Sequence, residues 1–380
     1  MRNSKIIRAR DLLLPFLGNP GEFNSITDVP GVLVGYKTLI NKSKNIYTGC
    51  TAILPRGYNK KISTIWAGIF VLNGNGEMTG SHWINDAGYF SSPIIITNSH
   101  GIGISHHATT KWMINQYSND FQTEDIWAMP VIAETYDGFI NNINHLSLKE
   151  EDVIEALNNA KSGKLEEGNV GGGTGMVTYG LKGGTGTSSR IITIPNHSKK
   201  YTLGVLLQAN NGKRSELQIM GVPYPPPEVN NSLDNIDKRS IIIIIATDAP
   251  LLPVQLKRLA KRAALGISRN GTCANNGSGD IFLAFSTANK NYTNNIPIDD
   301  KNIEEEKQIQ QIHFLHDDLL NYFYEGVVQA VEEAVINAMV SAKPLPLLKN
   351  KDEYIPSIDH EIVKNISKVI RNPHTDANTQ

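Results

Sequence analysis

The sequence predicts an α+β protein with more than one β layer. Three observations lead there: short β-type runs crowd residues 31–110, more such runs return after residue 200, and three substantial helical patterns lie among and after them. The early runs are Val32-Leu33-Val34, Thr51-Ala52-Ile53-Leu54, Ile69-Phe70-Val71-Leu72 and Pro93-Ile94-Ile95-Ile96-Thr97. Gly and Asn separate them, the punctuation of strands joined by tight turns. Ser147-Leu148-Lys149-Glu150 reads as a capping box ahead of Val153, Ile154 and Leu157 at helical spacing, in a helix ending near Gly163.

A segment of extreme glycine content follows, from Gly168 to Gly186. Strands are expected at Tyr201 to Leu207 and Ile241 to Ala246, with a loop from Pro223-Tyr224-Pro225-Pro226-Pro227 to Arg239 between them. Pro253 to Arg269 is amphipathic: Leu256, Leu259, Ala260, Ala263 and Ala264 face in, and Lys257, Arg258, Lys261 and Arg262 form a solvated face. Asp280 to Ser286 is an apolar strand, and residues 288–312 are polar enough to be a surface excursion. The last long helix runs from about Asp317 to Ser341 and is stopped by Pro344 and Pro346. The final 30 residues are polar and expected to be peripheral. A length of 380 residues allows two or three domains of roughly 150 residues each. Two-sheet enzymes of this size often run as one, so a single domain over residues 1–380 is expected.

Composition removes several function classes. With 40% hydrophobic and 19% charged residues the chain can bury a sizeable core. Its 36 basic and 37 acidic residues leave no surplus for a nucleic acid or membrane-surface partner. Two cysteines, Cys50 and Cys273, exclude a disulfide framework and suit a reducing compartment. The apolar run Leu12-Leu13-Leu14-Pro15-Phe16-Leu17 is short and follows Asp11, so it reads as part of the fold, and no window approaches 18 apolar residues. A cytoplasmic protein is expected.

The glycine segment fits neither nucleotide motif: it holds no GxxxxGKS/T and no GxGxxG between strand and helix with a later acidic residue. Its glycines permit tight turns and close packing, or line a cleft with backbone. Ser105-His106-His107, read as strand, points its histidines to opposite faces and is a poor metal site. No GxSxG elbow is present. Asn275-Asn276-Gly277-Ser278-Gly279-Asp280 has two readings. One is an Asn-Gly turn between a helix and a strand. The other is chemical: the Ser278 hydroxyl attacks the unobstructed Gly277 carbonyl, and hydrolysis of the ester frees the Ser278 α-amine. That amine, with a reference pKa of about 7.7–8.0, then serves as base for its own hydroxyl.

The ordered motifs decide between them. Asn24-Ser25-Ile26-Thr27-Asp28-Val29-Pro30-Gly31-Val32, Thr51 to Gly57, Leu72-Asn73-Gly74-Asn75-Gly76-Glu77-Met78-Thr79-Gly80, Glu134-Thr135-Tyr136-Asp137-Gly138, the glycine segment through Arg190, Ala246 to Leu251 and Gly277 to Thr287 occur in turn. Over roughly residues 8–342 the chain resembles the L-aminopeptidase/D-amidase-esterases and β-peptidyl aminopeptidases, self-processing N-terminal-nucleophile hydrolases. The resemblance implies an αββα four-layer sandwich, shared with the ornithine acetyltransferases, an α chain 1–277, a β chain 278–380 and a homo-oligomer of processed units. It implies Ser278 as nucleophile, Gly277 as the released C-terminus, Tyr136 lining the site and Asn210 as oxyanion donor. A serine and a glutamate of the family fall at His316 and Asp318. Asp318 or Glu77 is expected to restrain the substrate's ammonium. The substrate is a small peptide or an aminoacyl amide or ester, and no metal or organic cofactor is required. Two other classes stay open: an acyltransferase on the related self-cleaving fold, and an uncleaved, non-catalytic homologue.

Overall fold

A computed structural model describes residues 7–123, 126–226, 239–290, 309 and 311–372. In chain order the strands of its two main sheets are β1 Leu33–Asn41, β2 Ile46–Leu54, β3 Ile65–Gly74, β4 Tyr89–Phe90, β5 Ile94–Asn98, β6 Val131–Thr135, β7 Gly184–Ile192, β8 Tyr201–Asn210, β9 Ser240–Thr247 and β10 Gly279–Ser286. One sheet has the order β1-β2-β5-β6 and the other β4-β3-β10-β9-β8-β7. The helices used below are α1 Ser81–Ala87, α2 Ile102–Gln116, α3 Ser118–Thr123, α4 Glu150–Asn158, α5 Pro253–Ser268, α6 Leu320–Val340 and α7 His360–Arg371.

The two sheets lie face to face. Ile53, Ile94 and Ala133 of the first meet Ile69, Ile244 and Leu283 of the second in one buried cluster. The outer face of the first sheet, with Cys50, Ala52 and Ile95, is covered by Trp112 of α2 and Val153 and Leu157 of α4. On the outer face of the second, Val205, Ile243 and Phe282 pack under Leu256 of α5, Phe323 and Val331 of α6 and Val363 of α7. Ile241 to Ile245 therefore face alternate cores, and the run is apolar throughout because both faces of β9 are buried.

Several expectations shift. Ser105, His106 and His107 lie on helix α2, not on a strand, and His107 Nε2 sits 3.2 Å from Glu150 Oε2. Among the described residues no cluster of three His, Cys, Asp or Glu side chains is placed to hold a metal. The helix after residue 147 caps at Lys149, whose N–H donates to Asp152 Oδ2 at 3.0 Å, while Ser147 bonds the His145 ring; it ends at Asn158. Part of the glycine segment is strand β7, and its small residues have a packing cause: a Cβ on Gly186 would collide with the Ala334 carbonyl of α6. The C-terminal stretch is not all peripheral, since Val363 and Ile366 of α7 enter the core. The excursion at 288–312 and the loop before Arg239 fall largely outside the described residues. No helix among those residues is long and apolar enough to cross a membrane.

Candidate active site

Ser278 stands immediately before β10, the strand held between β3 and β9 in the middle of the second sheet. It is only 4% exposed. Pairing with β3 runs Gly279 to Gly74 and Asp280 to Asn73, then shifts by one residue so that Ile281 meets Val71. Such a bulge re-aims side chains at the end of a strand. Here it turns Asn73 and Asp280 onto Ser278.

The hydroxyl of Ser278 sits among three groups. Asp280 Oδ2 lies 2.7 Å away and the Asn275 carbonyl 2.8 Å away as acceptors, and Asn73 Nδ2 donates to Oγ at 2.8 Å. Asn73 spends its other strong bond on the Ala274 carbonyl at 2.8 Å, and Ala274 has φ 53°, a left-handed conformation that costs an alanine roughly 1–3 kcal/mol. The residues leading to Ser278 are thus held in a strained turn, closed by the Ser278 N–H donating to the Asn275 carbonyl at 3.0 Å. The carbonyl of Gly277, the atom an attacking Ser278 would turn into an oxyanion, accepts from Asn75 Nδ2 at 2.8 Å. Burial raises the Asp280 carboxyl above its usual range, against the hydrogen bonds from Ser278 and Asn73 that lower it. A small pocket, with room for about one water, lies beside these groups, lined by Asn211, Gly212, Arg239, Thr272, Ser278 and Asp280.

Asn210 ends β8 level with Ser240, whose Oγ accepts from the Gly279 N–H at 3.0 Å. It is fully buried; Oδ1 accepts from the Val177 N–H at 2.8 Å and Nδ2 donates to the Tyr136 carbonyl at 3.0 Å. Asn210 therefore ties the glycine segment to the end of β6, two strands away from Ser278. One of its two amide hydrogens is committed to the Tyr136 carbonyl. The Tyr136 ring is 38% exposed and packs edge-on against Phe139 at 5.4 Å. Glu77 projects outward, and its backbone N–H donates to Glu134 Oε1 at 3.1 Å.

Glu134 was not singled out in the sequence. Its carboxylate also accepts from Ser99 and is buried, which raises its pKa despite those hydrogen bonds. A Cβ built on Gly76 would lie 3.2 Å from Glu134 Oε1 and 3.3 Å from the Gly279 Cα, so this carboxylate borders the residue after Ser278. Asn73 and Asn75 lie in the Leu72 to Gly80 motif, which by itself assigns them no role. Their signal is positional: Asn73 lies at the end of β3 and Asn75 just beyond it, but only strand pairing reveals that β3 neighbours β10.

His316 and Asp318 are not brought to Ser278. The Leu315 N–H bonds the Pro250 carbonyl, and Gln255 of α5 bonds the Leu315 carbonyl, which fixes this stretch beside the far end of β10. Eight residues at about 3.3 Å each put that end roughly 25 Å from Ser278. Both side chains are solvated, 75% and 88% exposed, with His316 capping the turn that leads into α6.

Comparison with known proteins yields one consistent set of relatives. The model of peptidase family S58 matches residues 24–352. The β-peptidyl aminopeptidase BapA of Sphingosinicella microcystinivorans is 43% identical over 361 residues, covering 89% of this chain and 86% of that protein. Its counterpart from Sphingosinicella xenopeptidilytica is 40% identical over 381 residues, covering 95% and 91%. Among solved structures, the L-aminopeptidase D-Ala-esterase/amidase of Ochrobactrum anthropi, described as a prototype of the serine aminopeptidases and a variant of the Ntn hydrolase fold, superposes with a TM-score of 0.84 at 45% identity, over 96% of this chain and 99% of that one. A Burkholderia sp. β-aminopeptidase gives 0.80 at 36% identity, over 95% and 98%.

Proposed function

The chain belongs to peptidase family S58, and from that premise we propose that it is a self-processing serine aminopeptidase, amidase and esterase whose Ser278 is first the site of self-cleavage and then the nucleophile. The face-to-face sheets with helices on both outer faces are read as the αββα sandwich of this type. The observation that carries the reading is the setting of Ser278. It is a buried serine after a glycine in a strained turn, its hydroxyl bonded to a carboxylate and the preceding carbonyl already holding an amide donor.

Cleavage before Ser278 leaves β10 clamped between β3 of the α chain and β9 of the same chain, so the two fragments stay one folded unit. In the processed enzyme the Ser278 α-amine takes the hydroxyl proton. Oγ attacks the carbonyl of the substrate's N-terminal residue, the amine passes the proton to the leaving group, and water releases the acyl group from Ser278. Asn210 serves as oxyanion donor through its second amide hydrogen, and Tyr136 borders the substrate. For the substrate's free ammonium, Glu134 is better placed than Glu77 or Asp318: it is buried, charged when ionised, and borders Gly279. A homo-oligomer of processed pairs belongs to the same proposal.

Turnover of aminoacyl p-nitroanilides and amides by the purified protein tests this reading. Hydrolysis confined to substrates with a free N-terminal amine, and lost in Ser278→Ala, is expected. Equal hydrolysis of N-acetylated substrates would exclude an aminopeptidase.

A further inference from the structure

We propose that self-cleavage is driven by two groups distinct from the α-amine of the mature enzyme: Asp280 as the general base on Ser278 Oγ, and Asn75 as the donor that holds the oxyanion on Gly277. The inference rests on the reading that this chain cuts itself at Gly277–Ser278. That reading leaves a gap. Before cleavage the Ser278 nitrogen is an amide, which has no basic lone pair, so the amine that activates Oγ in the mature enzyme does not yet exist. Another base must start the reaction.

The structure offers one. Asp280 Oδ2 is 2.7 Å from Ser278 Oγ, and the other close acceptor, the Asn275 carbonyl, cannot take a proton at neutral pH. Asn73 Nδ2, donating to the same Oγ at 2.8 Å, steadies the alkoxide character that grows as the proton leaves; it is a positioning residue. Asn75 Nδ2 is 2.8 Å from the Gly277 carbonyl oxygen, and the Asn75 backbone N–H is 3.2 Å from the Ser278 carbonyl, so this one residue spans the scissile unit. All three belong to the β3–β10 junction that the bulge shapes.

The steps balance with water as the only co-reactant. Asp280 takes the Oγ proton as Oγ bonds to the Gly277 carbonyl carbon, and the negative charge moves to the carbonyl oxygen, facing Asn75. The carbon–nitrogen bond then breaks, and the protonated Asp280 returns its proton to the Ser278 nitrogen. The product is an ester between Gly277 and Ser278 Oγ. Water adds to that ester, Oγ leaves with a proton, and the Gly277 carboxylate and Ser278 amine are free. Asp280 lines the small pocket with Asn211, and its Oδ1 is buried. The water of this last step would reach the ester from that side.

A time course of self-cleavage of the full-length chain, followed by intact mass, tests the assignment. Asp280→Asn should slow cleavage by about 10²–10⁴-fold, and Asn75→Ala by about 10²–10³-fold, with circular dichroism matching Ser278→Ala. Asp280→Glu should recover part of the rate. Wild-type cleavage should slow as pH falls and the Asp280 carboxyl protonates, and Asp280→Asn should lose that inflection. Among the described residues, the charged or titratable groups around it include Tyr179, Lys213 and Arg239 lining the pocket, and Glu134 beside Gly279. Hydroxylamine, which traps the ester as a Gly277 hydroxamate, should not rescue Asp280→Asn, because the ester is never formed. Cleavage of Asp280→Asn within a few-fold of wild type, or its full rescue by hydroxylamine, overturns the role of Asp280. Should that variant not fold, a wild-type rate of cleavage in Asn75→Ala overturns the pairing. A wild-type chain that never cleaves defeats the self-processing reading itself.

Discussion

Replacing Asn210 by alanine should lower stability and turnover together, by amounts the structure sets separately. The side chain satisfies the Val177 N–H and the Tyr136 carbonyl, at 2.8 and 3.0 Å, in a fully buried place. Stranding two buried backbone groups costs about 1–3 kcal/mol each, or about 3 kcal/mol after partial relaxation. With an unfolding entropy of roughly 2.1 cal/mol/K per residue over 380 residues, each kcal/mol moves the midpoint by about 1.3 °C. A fall of about 4 °C is expected, measured by calorimetry in the Ser278→Ala background so that only the uncut chain melts. In the self-cleaving background, loss of an oxyanion donor should reduce kcat by about 10²–10³-fold. Asn210→Asp sharpens the test. It keeps the acceptor for Val177 but sets a carboxylate against the Tyr136 carbonyl, so it should be worse than alanine at neutral pH and recover on acidification. Asn210→Ala with an unchanged melting point would refute the tie between the glycine segment and β6. A normal melting point shift with normal kcat would reduce Asn210 to a structural residue.

Other outcomes follow from the same geometry. Glu333 of α6, buried between Arg10 (2.7 Å) and Arg190 (2.8 Å), should cost about 3–5 kcal/mol when changed to Gln, because two guanidiniums lose their partner. Burial opposes its ionisation, but the arginines and Asn24 hold its pKa below the usual value. That stability is therefore present above the unfolded carboxylate range and is lost as pH falls through the depressed value. By contrast, Asp317→Asn at the exposed pair with Arg258 should leave the melting point unchanged within error. Gly172→Ala should abolish soluble, processed protein, since its Cβ would press on the Gln208 side chain and lie 2.5 Å from the Ile96 carbonyl; gel filtration and mass read this. Glu134→Gln should raise KM for free-amine substrates about 10–100-fold by removing a charge-assisted bond of about 1.5–3 kcal/mol, with kcat moving less. In the unaltered protein kcat/KM should fall as pH drops through the raised Glu134 pKa.

The elements most legible in the sequence were those whose pattern and burial agree. The Ile241 to Ile245 run and the Pro253 helix with its apolar face appear close to their expected bounds. Helix α2 was missed because its buried residues, Ser105, Ala108, Thr109, Trp112 and Met113, include small and polar side chains that blur a 3.6-residue stripe. Strand β7 was hidden because its glycines, serines and threonines meet α6 by backbone approach and not by apolar side chains. At the site, Ser278 and Tyr136 stood in recognisable motifs, and Asn210 followed from the family resemblance. Asp280 stood in the same motif as Ser278 but had no role there, because at the start of an apolar strand it read as strand. Asn73 and Asn75 act on a residue about 200 positions later, and only the β3–β10 register brings them there. His316 and Asp318 show the converse. Counting along the chain placed them by family spacing, whereas the length of β10 and the contact of Leu315 with Pro250 set them at its other end.

The central claim is that the chain cuts itself before Ser278, and intact mass of the purified protein beside Ser278→Ala tests it most directly. Two fragments of about 30 and about 11 kDa, scaled by length from 41.8 kDa, are predicted, co-eluting in gel filtration, the smaller beginning with Ser278, with the variant whole. A wild-type chain that stays at 41.8 kDa after prolonged incubation would contradict the account.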